Sequence, residues 1–152
     1  MGDLQPSHVG LCVSDLKASM RFYCDGLGFE VSDGYDLDST TVLGLDAALE
    51  VPGPAVLRSQ MIVLDGLKIE LLHYTSPTVD GTPSARRNQR GLTHLSFWVD
   101  DVDAAIERLV ACGGTLLPGT RQSPGVDLVF VADPDGTRVE LMQRPATPTP
   151  PM

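Results

Sequence analysis

The segment HVGLCVSDL at residues 8–16 has the same pattern as HLSFWVDDV at residues 94–102. Each begins with a histidine, continues with a short apolar run and then reaches an aspartate before an aliphatic residue. This pattern predicts a β-strand followed by a capped helix. A helical spacing of apolar residues continues in both copies to Gly26 and Gly113, which are suited to the left-handed conformation that ends a helix. Such self-similarity predicts one structural unit used twice.

Strand patterns follow each predicted helix. The candidate strands are residues 29–32, 60–64 and 68–74 in the first copy and 115–117, 128–132 and 137–143 in the second. The last two strands of each copy are joined by turn residues, Asp65-Gly66 and Asp133-Pro134-Asp135-Gly136. We therefore predict an α+β fold of two tandem βαβββ modules, which form a cup of mixed β-sheet with flanking helices.

The predicted modules differ in length because the first carries extra residues. We predict the following organisation: a first module at 1–75 with an insertion at about 38–56, a linker at 76–91, a second module at 92–144, and a disordered tail at 145–152. The insertion could cover a site as a lid or form a surface loop, and both interpretations stay open.

The charge and hydropathy of the chain limit its partners. The net charge of −9 argues against a nucleic-acid partner, because phosphate backbones are bound by Lys and Arg. No apolar run approaches the roughly 20 residues that cross a bilayer, and the N-terminus lacks the pattern of a secretion signal. We therefore expect a cytoplasmic protein with no membrane partner.

One basic cluster stands out in this acidic chain. Arg86, Arg87 and Arg90 lie together in the predicted linker. They could form a solvated loop, or they could contact an anionic group such as a carboxylate or the phosphate of a coenzyme A ester.

Four side chains occupy corresponding places in the two copies. His8 and His94 begin the first strand of each, while Glu70 and Glu140 lie in the last strand among aliphatic residues. A carboxylate in such surroundings is costly to bury unless it is paired or bound to a metal. Two imidazoles and two carboxylates suit a divalent ion such as Zn²⁺, Ni²⁺, Co²⁺, Mn²⁺ or Fe²⁺. We predict that the pseudo-twofold repeat brings these four ligands together around one ion.

Two interpretations apply to other side chains near the predicted ligands. Tyr74, Trp98 and Met142 share strand faces with the ligands and could line the cup, although core packing explains them equally well. His73 is three residues after Glu70, so we expect it on the opposite face, at the surface or an interface.

Two motifs give the chain a family likeness. Residues 15–29 match a first-module signature, and Asp133-Pro134-Asp135-Gly136 followed by Val139-Glu140-Leu141 matches a C-terminal signature. With them the chain, over residues 7–143, resembles the vicinal oxygen chelate superfamily. That superfamily includes glyoxalase I, methylmalonyl-CoA epimerase, extradiol dioxygenases, and fosfomycin and bleomycin resistance proteins. The resemblance implies the tandem fold and its metal cup, but one cup serves many reactions.

The types of the four ligands indicate which members of the superfamily the chain resembles most. Bacterial glyoxalase I is similar in presenting His, Glu, His and Glu, whereas methylmalonyl-CoA epimerase has Gln where this chain has Glu70. Residues 91–94 and 99–104 nevertheless look closer to the epimerases, and residues 75–91 contain no recognisable glutathione-contacting segment. Dioxygenases and fosfomycin-modifying members typically present two His and one Glu, and bleomycin-binding members lack the ligands.

The resemblance implies proton transfer at a carbon next to a carbonyl. The enzyme would be a metal-dependent isomerase or epimerase, or a glyoxalase-type lyase, with the ion stabilising an enediolate or enolate. Glu140 or Glu70 would carry the proton, and Asp46 or Glu50 of the insertion is an alternative base. The competing hypotheses are a non-haem iron dioxygenase on the same cup and a small-molecule binding or antibiotic-resistance protein.

The expected partners are a small-molecule substrate and, by analogy with the superfamily, a second copy of the chain in a homodimer. The substrate, the pathway and the identity of the metal stay open.

Overall fold

The computed structural model describes residues 2–146 and divides the chain into two compact units, Met1–Gly81 and Thr82–Met152. The division falls within the segment predicted as a linker, residues 76–91. Of the disordered tail predicted at 145–152, residues 147–152 lie outside the described residues. None of the helices in residues 2–146 has the length and apolar character of a membrane span.

The first unit is one βαβββ module with an inserted helical turn. Its sheet has the order β1-β4-β3-β2, with β1 parallel to β4 and the other pairs antiparallel. The elements are β1 (Val9–Cys12), α1 (Leu16–Met20, continued by a π-helical turn at Arg21–Gly26), β2 (Glu30–Asp38), α2 (Leu45–Ala48), β3 (Val56–Leu64) and β4 (Leu67–Ser76).

The second unit repeats this arrangement without the inserted turn. Its sheet has the order β5-β8-β7-β6, again with the first and last strands parallel. The elements are β5 (Leu95–Val99), α3 (Val102–Ala111), β6 (Thr115–Leu116), β7 (Leu128–Ala132) and β8 (Arg138–Gln143). The predicted α+β fold of two tandem βαβββ modules is therefore confirmed.

The helix of each unit begins at the aspartate that the repeat predicts. The Asp15 carboxylate accepts a hydrogen bond from the Ala18 amide, and the Asp101 carboxylate accepts one from the Ala104 amide. Each bond satisfies an amide that has no partner within the helix.

The glycine that ends each helix was predicted correctly in the second unit only. Gly113 has a φ of 95°, as expected of a left-handed stop. In the first unit the left-handed residue is Gly28, with a φ of 90°, so the prediction for Gly26 was wrong. The reason is the π-helical turn, which is wider than an α-turn and carries Gly26 inside the helical segment.

Alternation along the last strand of each unit separates core residues from the predicted ligands. Ile69 and Leu71 are fully buried, whereas Glu70 between them faces the other side of the sheet. Val139 and Leu141 are likewise fully buried on either side of Glu140. Burial of each such aliphatic side chain contributes about 1.5–3 kcal/mol, which fixes the face that each glutamate occupies.

The insertion packs onto the sheet of the first unit. Leu45 of α2 is buried with Ala55 and Leu57, and Leu72 and Tyr74 of β4 pack against this cluster. Leu72 and Tyr74 share a face of β4 with Glu70. The insertion therefore packs over the end of the β4 face that carries Glu70.

Replacement of Asp101 by Ala is expected to lower the free energy of unfolding by about 1 kcal/mol, because the Ala104 amide loses its acceptor. Asp101→Asn is the matched control, since asparagine caps a helix about as well as aspartate. Chemical denaturation measures both variants. An unchanged stability for Asp101→Ala would contradict the capping role.

Candidate metal centre

In the first unit, strand pairing brings His8 to Glu70. Gly10 of β1 lies beside Glu70 of β4 in the parallel register. His8, which directly precedes β1, reaches the same side as Glu70, and its Nε2 lies 3.0 Å from Glu70 Oε2. Both side chains are partly exposed, so the pair is accessible to a ligand.

The second unit forms the equivalent pair from equivalent positions. Ser96 of β5 lies beside Glu140 of β8, and His94 directly precedes β5. The Nε2 atom of His94 lies 3.5 Å from Glu140 Oε2. The repeat in the sequence is therefore reproduced as two matched His–Glu pairs, one in each unit.

Each pair is supported by hydroxyl groups that the sequence reasoning did not identify. Ser7 Oγ lies 2.9 Å from Nδ1 of His8, and Thr93 Oγ1 lies 2.8 Å from Nδ1 of His94. In both units the far nitrogen of the ring is thus held by the preceding residue, which directs Nε2 to the carboxylate. A hydroxyl residue before each histidine was a visible signal in the sequence.

Serine hydroxyls also hold the two carboxylates, but in different ways. Ser59 donates to Glu70 Oε1 at 2.6 Å, so both oxygens of Glu70 have a partner. Ser96 donates to Glu140 Oε2 at 2.7 Å, the same oxygen that faces His94. Within residues 2–146, Oε1 of Glu140 has no hydrogen-bond partner.

The donor set fits a divalent cation. A neutral imidazole Nε2 and a carboxylate oxygen at about 3 Å hold either a proton or a cation between them, since two lone pairs would repel. A hydrogen bond on Nδ1 is the usual support of a metal-binding histidine. No three His, Cys, Asp or Glu side chains cluster within residues 2–146. Each unit therefore contains one His–Glu pair with donor atoms of the types that bind divalent ions.

The first unit contains a cleft at the end of the β4 face that carries Glu70, beside the insertion. Its volume is about 510 Å³, and its lining includes Cys12 of β1, Tyr74 of β4, and Val51 and Pro52 of the insertion. Burial, with smaller contributions from the nearby Cys12 and Glu70, raises the pKa of Tyr74 above its usual value. The phenol therefore remains a hydrogen-bond donor at neutral pH.

Asp46, an alternative base, and His73, expected at the surface or an interface, both form hydrogen bonds within the first unit. The Asp46 carboxylate accepts a hydrogen bond from the Ala55 amide at 2.9 Å, which holds the insertion in place. His73 is only partly buried, and its Nδ1 lies 3.1 Å from the Val13 carbonyl oxygen. The His73 side chain thus contacts Val13, the residue that directly follows β1.

Profile comparison assigns the family. The profile of the Glyoxalase/Bleomycin resistance protein/Dioxygenase superfamily matches residues 5–141. The chain belongs to this superfamily. The glyoxalase family protein from Bacillus cereus shares its fold, with a TM-score of 0.78 at 20% identity over 94% of this chain and 95% of that one.

Relatives in the glyoxalase superfamily include named enzymes. The lactoylglutathione lyase of Pseudomonas aeruginosa is 31% identical, with 90% of this chain and 81% of that protein covered. The 2-epi-5-epi-valiolone epimerase of an Actinomyces species is 29% identical, with 95% and 82% covered. An uncharacterised Escherichia coli protein is 32% identical over 95% and 99%. The names of the first two relatives support an enzyme of the glyoxalase superfamily.

Thr93→Val is expected to weaken Zn²⁺ binding about tenfold or more, because support at the far ring nitrogen typically contributes 10- to 100-fold to metal affinity. Thr115→Val on the exposed strand β6 is the matched control. Calorimetric titration with Zn²⁺ measures both variants. Equal affinities would show that the Thr93 hydroxyl does not support a metal-bound His94.

Proposed function

We propose that the chain is a divalent-metal-dependent isomerase, epimerase or glyoxalase-type lyase that transfers a proton at a carbon next to a carbonyl. The observation that carries this proposal is the pair of matched His–Glu contacts, His8–Glu70 and His94–Glu140. The names of relatives, lactoylglutathione lyase and 2-epi-5-epi-valiolone epimerase, support the same reaction classes.

His8, Glu70, His94 and Glu140 would hold one ion, which is Zn²⁺, Ni²⁺, Co²⁺, Mn²⁺ or Fe²⁺. Such an ion supplies Lewis-acid stabilisation of the negative charge that develops on the carbonyl oxygen. The two pairs would meet either within one chain or between the copies of a homodimer. In both cases the stoichiometry is one ion for each chain.

The contacts of the two glutamates favour Glu140 as the group that moves the proton. Its Oε1 is unbonded within residues 2–146, while Ser96 and His94 both face Oε2. The carboxylate is therefore fixed through one oxygen and can accept a proton on the other. Glu70 has a partner on each oxygen, which suits a ligand that stays in place or acts as the second member of an acid–base pair.

The cleft in the first unit would receive the remaining part of the substrate. The 510 Å³ cleft is lined by the apolar Val51, Pro52, Pro77 and Val79, and by Cys12, Tyr74, Thr78 and Asp80. These groups suit a largely apolar portion that carries a few hydrogen-bonding groups. We assign to this cleft, and to the insertion that borders it, the role of substrate selection.

Solvent exchange tests the reaction and the division of roles. We expect protein loaded with Ni²⁺, Co²⁺ or Zn²⁺ to introduce solvent deuterium at the reacting carbon of the hemithioacetal of methylglyoxal and glutathione. Glu140→Gln should reduce the rate by about 10²- to 10⁴-fold, the usual contribution of a general base. Glu70→Gln should reduce it less, since the amide can still accept from Ser59.

The exposed helix residue Glu107 supplies the control for these variants, and Glu107→Gln should leave the exchange rate unchanged. A near-normal rate for Glu140→Gln would refute its role as the proton carrier. No exchange by the wild-type protein would refute the lyase assignment for this substrate. Oxygen consumption by the Fe²⁺-loaded protein would instead favour the dioxygenase.

A further inference from the structure

Arg87 is placed beside the His94–Glu140 pair by an aromatic ring. Its guanidinium carbon lies 4.1 Å from the centre of the Phe130 ring. Phe130 of β7 lies opposite Glu140 of β8 in the antiparallel register, so the two side chains share a face. The same ring meets His94 edge-on, with 5.3 Å between ring centres. Arg87 thus belongs to the surroundings of the candidate ligands in the second unit.

The segment that carries Arg87 is held in position on both sides. Arg138 of β8 donates to the Ser84 carbonyl oxygen at 2.9 Å. The Arg86 amide donates to the Gln89 side chain at 2.8 Å, and the Gln89 amide returns a bond to the Arg86 carbonyl oxygen. These bonds form a turn around Arg87 and keep its side chain over Phe130.

The stacked guanidinium keeps its N–H groups available. A guanidinium has five N–H donors in a planar fork, and a contact with the face of one ring leaves donors for a further partner. Arg58, Arg121 and Arg144 each form an ion pair with an aspartate. Among residues 2–146, no carboxylate lies within ion-pair distance of Arg87, although the chain has 20 acidic residues against 11 basic ones.

Charge balance explains what this arginine could do. A divalent ion bound by two carboxylates and two neutral imidazoles keeps no net positive charge. A substrate with an additional anionic group would therefore need a further cation nearby. A guanidinium with free donors in a fork is suited to a carboxylate, which it can bind through two parallel hydrogen bonds.

We propose that Arg87 binds a carboxylate of the substrate, one that is separate from the oxygens at the metal. The proposal rests on the proposed metal centre, and it narrows the substrate class to carboxylic acids that also carry a 2-oxo or 2-hydroxy group. Arg87 is a specificity residue in this account, and Phe130 positions it.

A matched pair of ligands tests the assignment by binding. 2-Oxoglutarate and 2-oxopentanoate share the 2-oxo acid group and differ by a second carboxylate in place of a methyl. Calorimetry on the Zn²⁺-loaded protein should give a roughly 10- to 100-fold preference for 2-oxoglutarate, the size expected of a charged hydrogen-bonded pair. The fluorescence of Trp98, the only tryptophan, provides a second readout, since it lies half-exposed on β5.

Arg87→Gln should abolish this preference while Zn²⁺ affinity stays unchanged. The matched control is Arg90→Gln, which removes the same charge from the same cluster and should keep the preference. Equal losses of the preference in the two variants would indicate a diffuse charge effect and would overturn the proposal. A wild-type protein that binds the two ligands equally well would also overturn it. Failure of the wild-type protein to bind Zn²⁺ would refute the metal centre itself, which separates the two claims.

Discussion

The parallel pairing of the first strand with the last strand of each unit decides where the side chains of the candidate site lie. It places Gly10 beside Glu70 and Ser96 beside Glu140. The histidine before each first strand then comes within 3.5 Å of a carboxylate. A slip of one residue would turn the glutamates into the core and the aliphatic residues outward, so the packing that stabilises each sheet also fixes its His–Glu pair.

These pairs link folding to ligand binding. Each brings two lone-pair donors together in partly buried surroundings, which is favourable only with a proton or a cation between them. Four hydroxyl groups hold the imidazole rings and the carboxylates in position for a cation to replace the proton between them. They belong to Ser7, Thr93, Ser59 and Ser96. An ion that binds the folded chain alone also stabilises it by mass action.

The sequence allowed the fold to be predicted, because repeated strands impose the same alternation and the same parallel register on equivalent residues. It also placed one His and one Glu at equivalent positions in each unit, and the meeting of all four around one ion stays a prediction. The contact of Ser59 with Glu70 could also have been predicted from the sequence, because the Asp65-Gly66 turn sets the register between β3 and β4. Gly28 was missed because the π-helical turn leaves no periodic signal. The stacking of Arg87 on Phe130 joins a loop to a strand, and no periodicity encodes such a contact.

The central claim is that both pairs hold a single ion. Metal content measured by mass spectrometry, with calorimetric titration of Zn²⁺ into wild-type protein and the variants His8→Ala and His94→Ala, tests it most directly. We predict one ion for each chain, with strong loss of binding in either variant although the two histidines belong to different units. Two ions for each chain, or one variant that binds as tightly as the wild-type protein, would contradict the account.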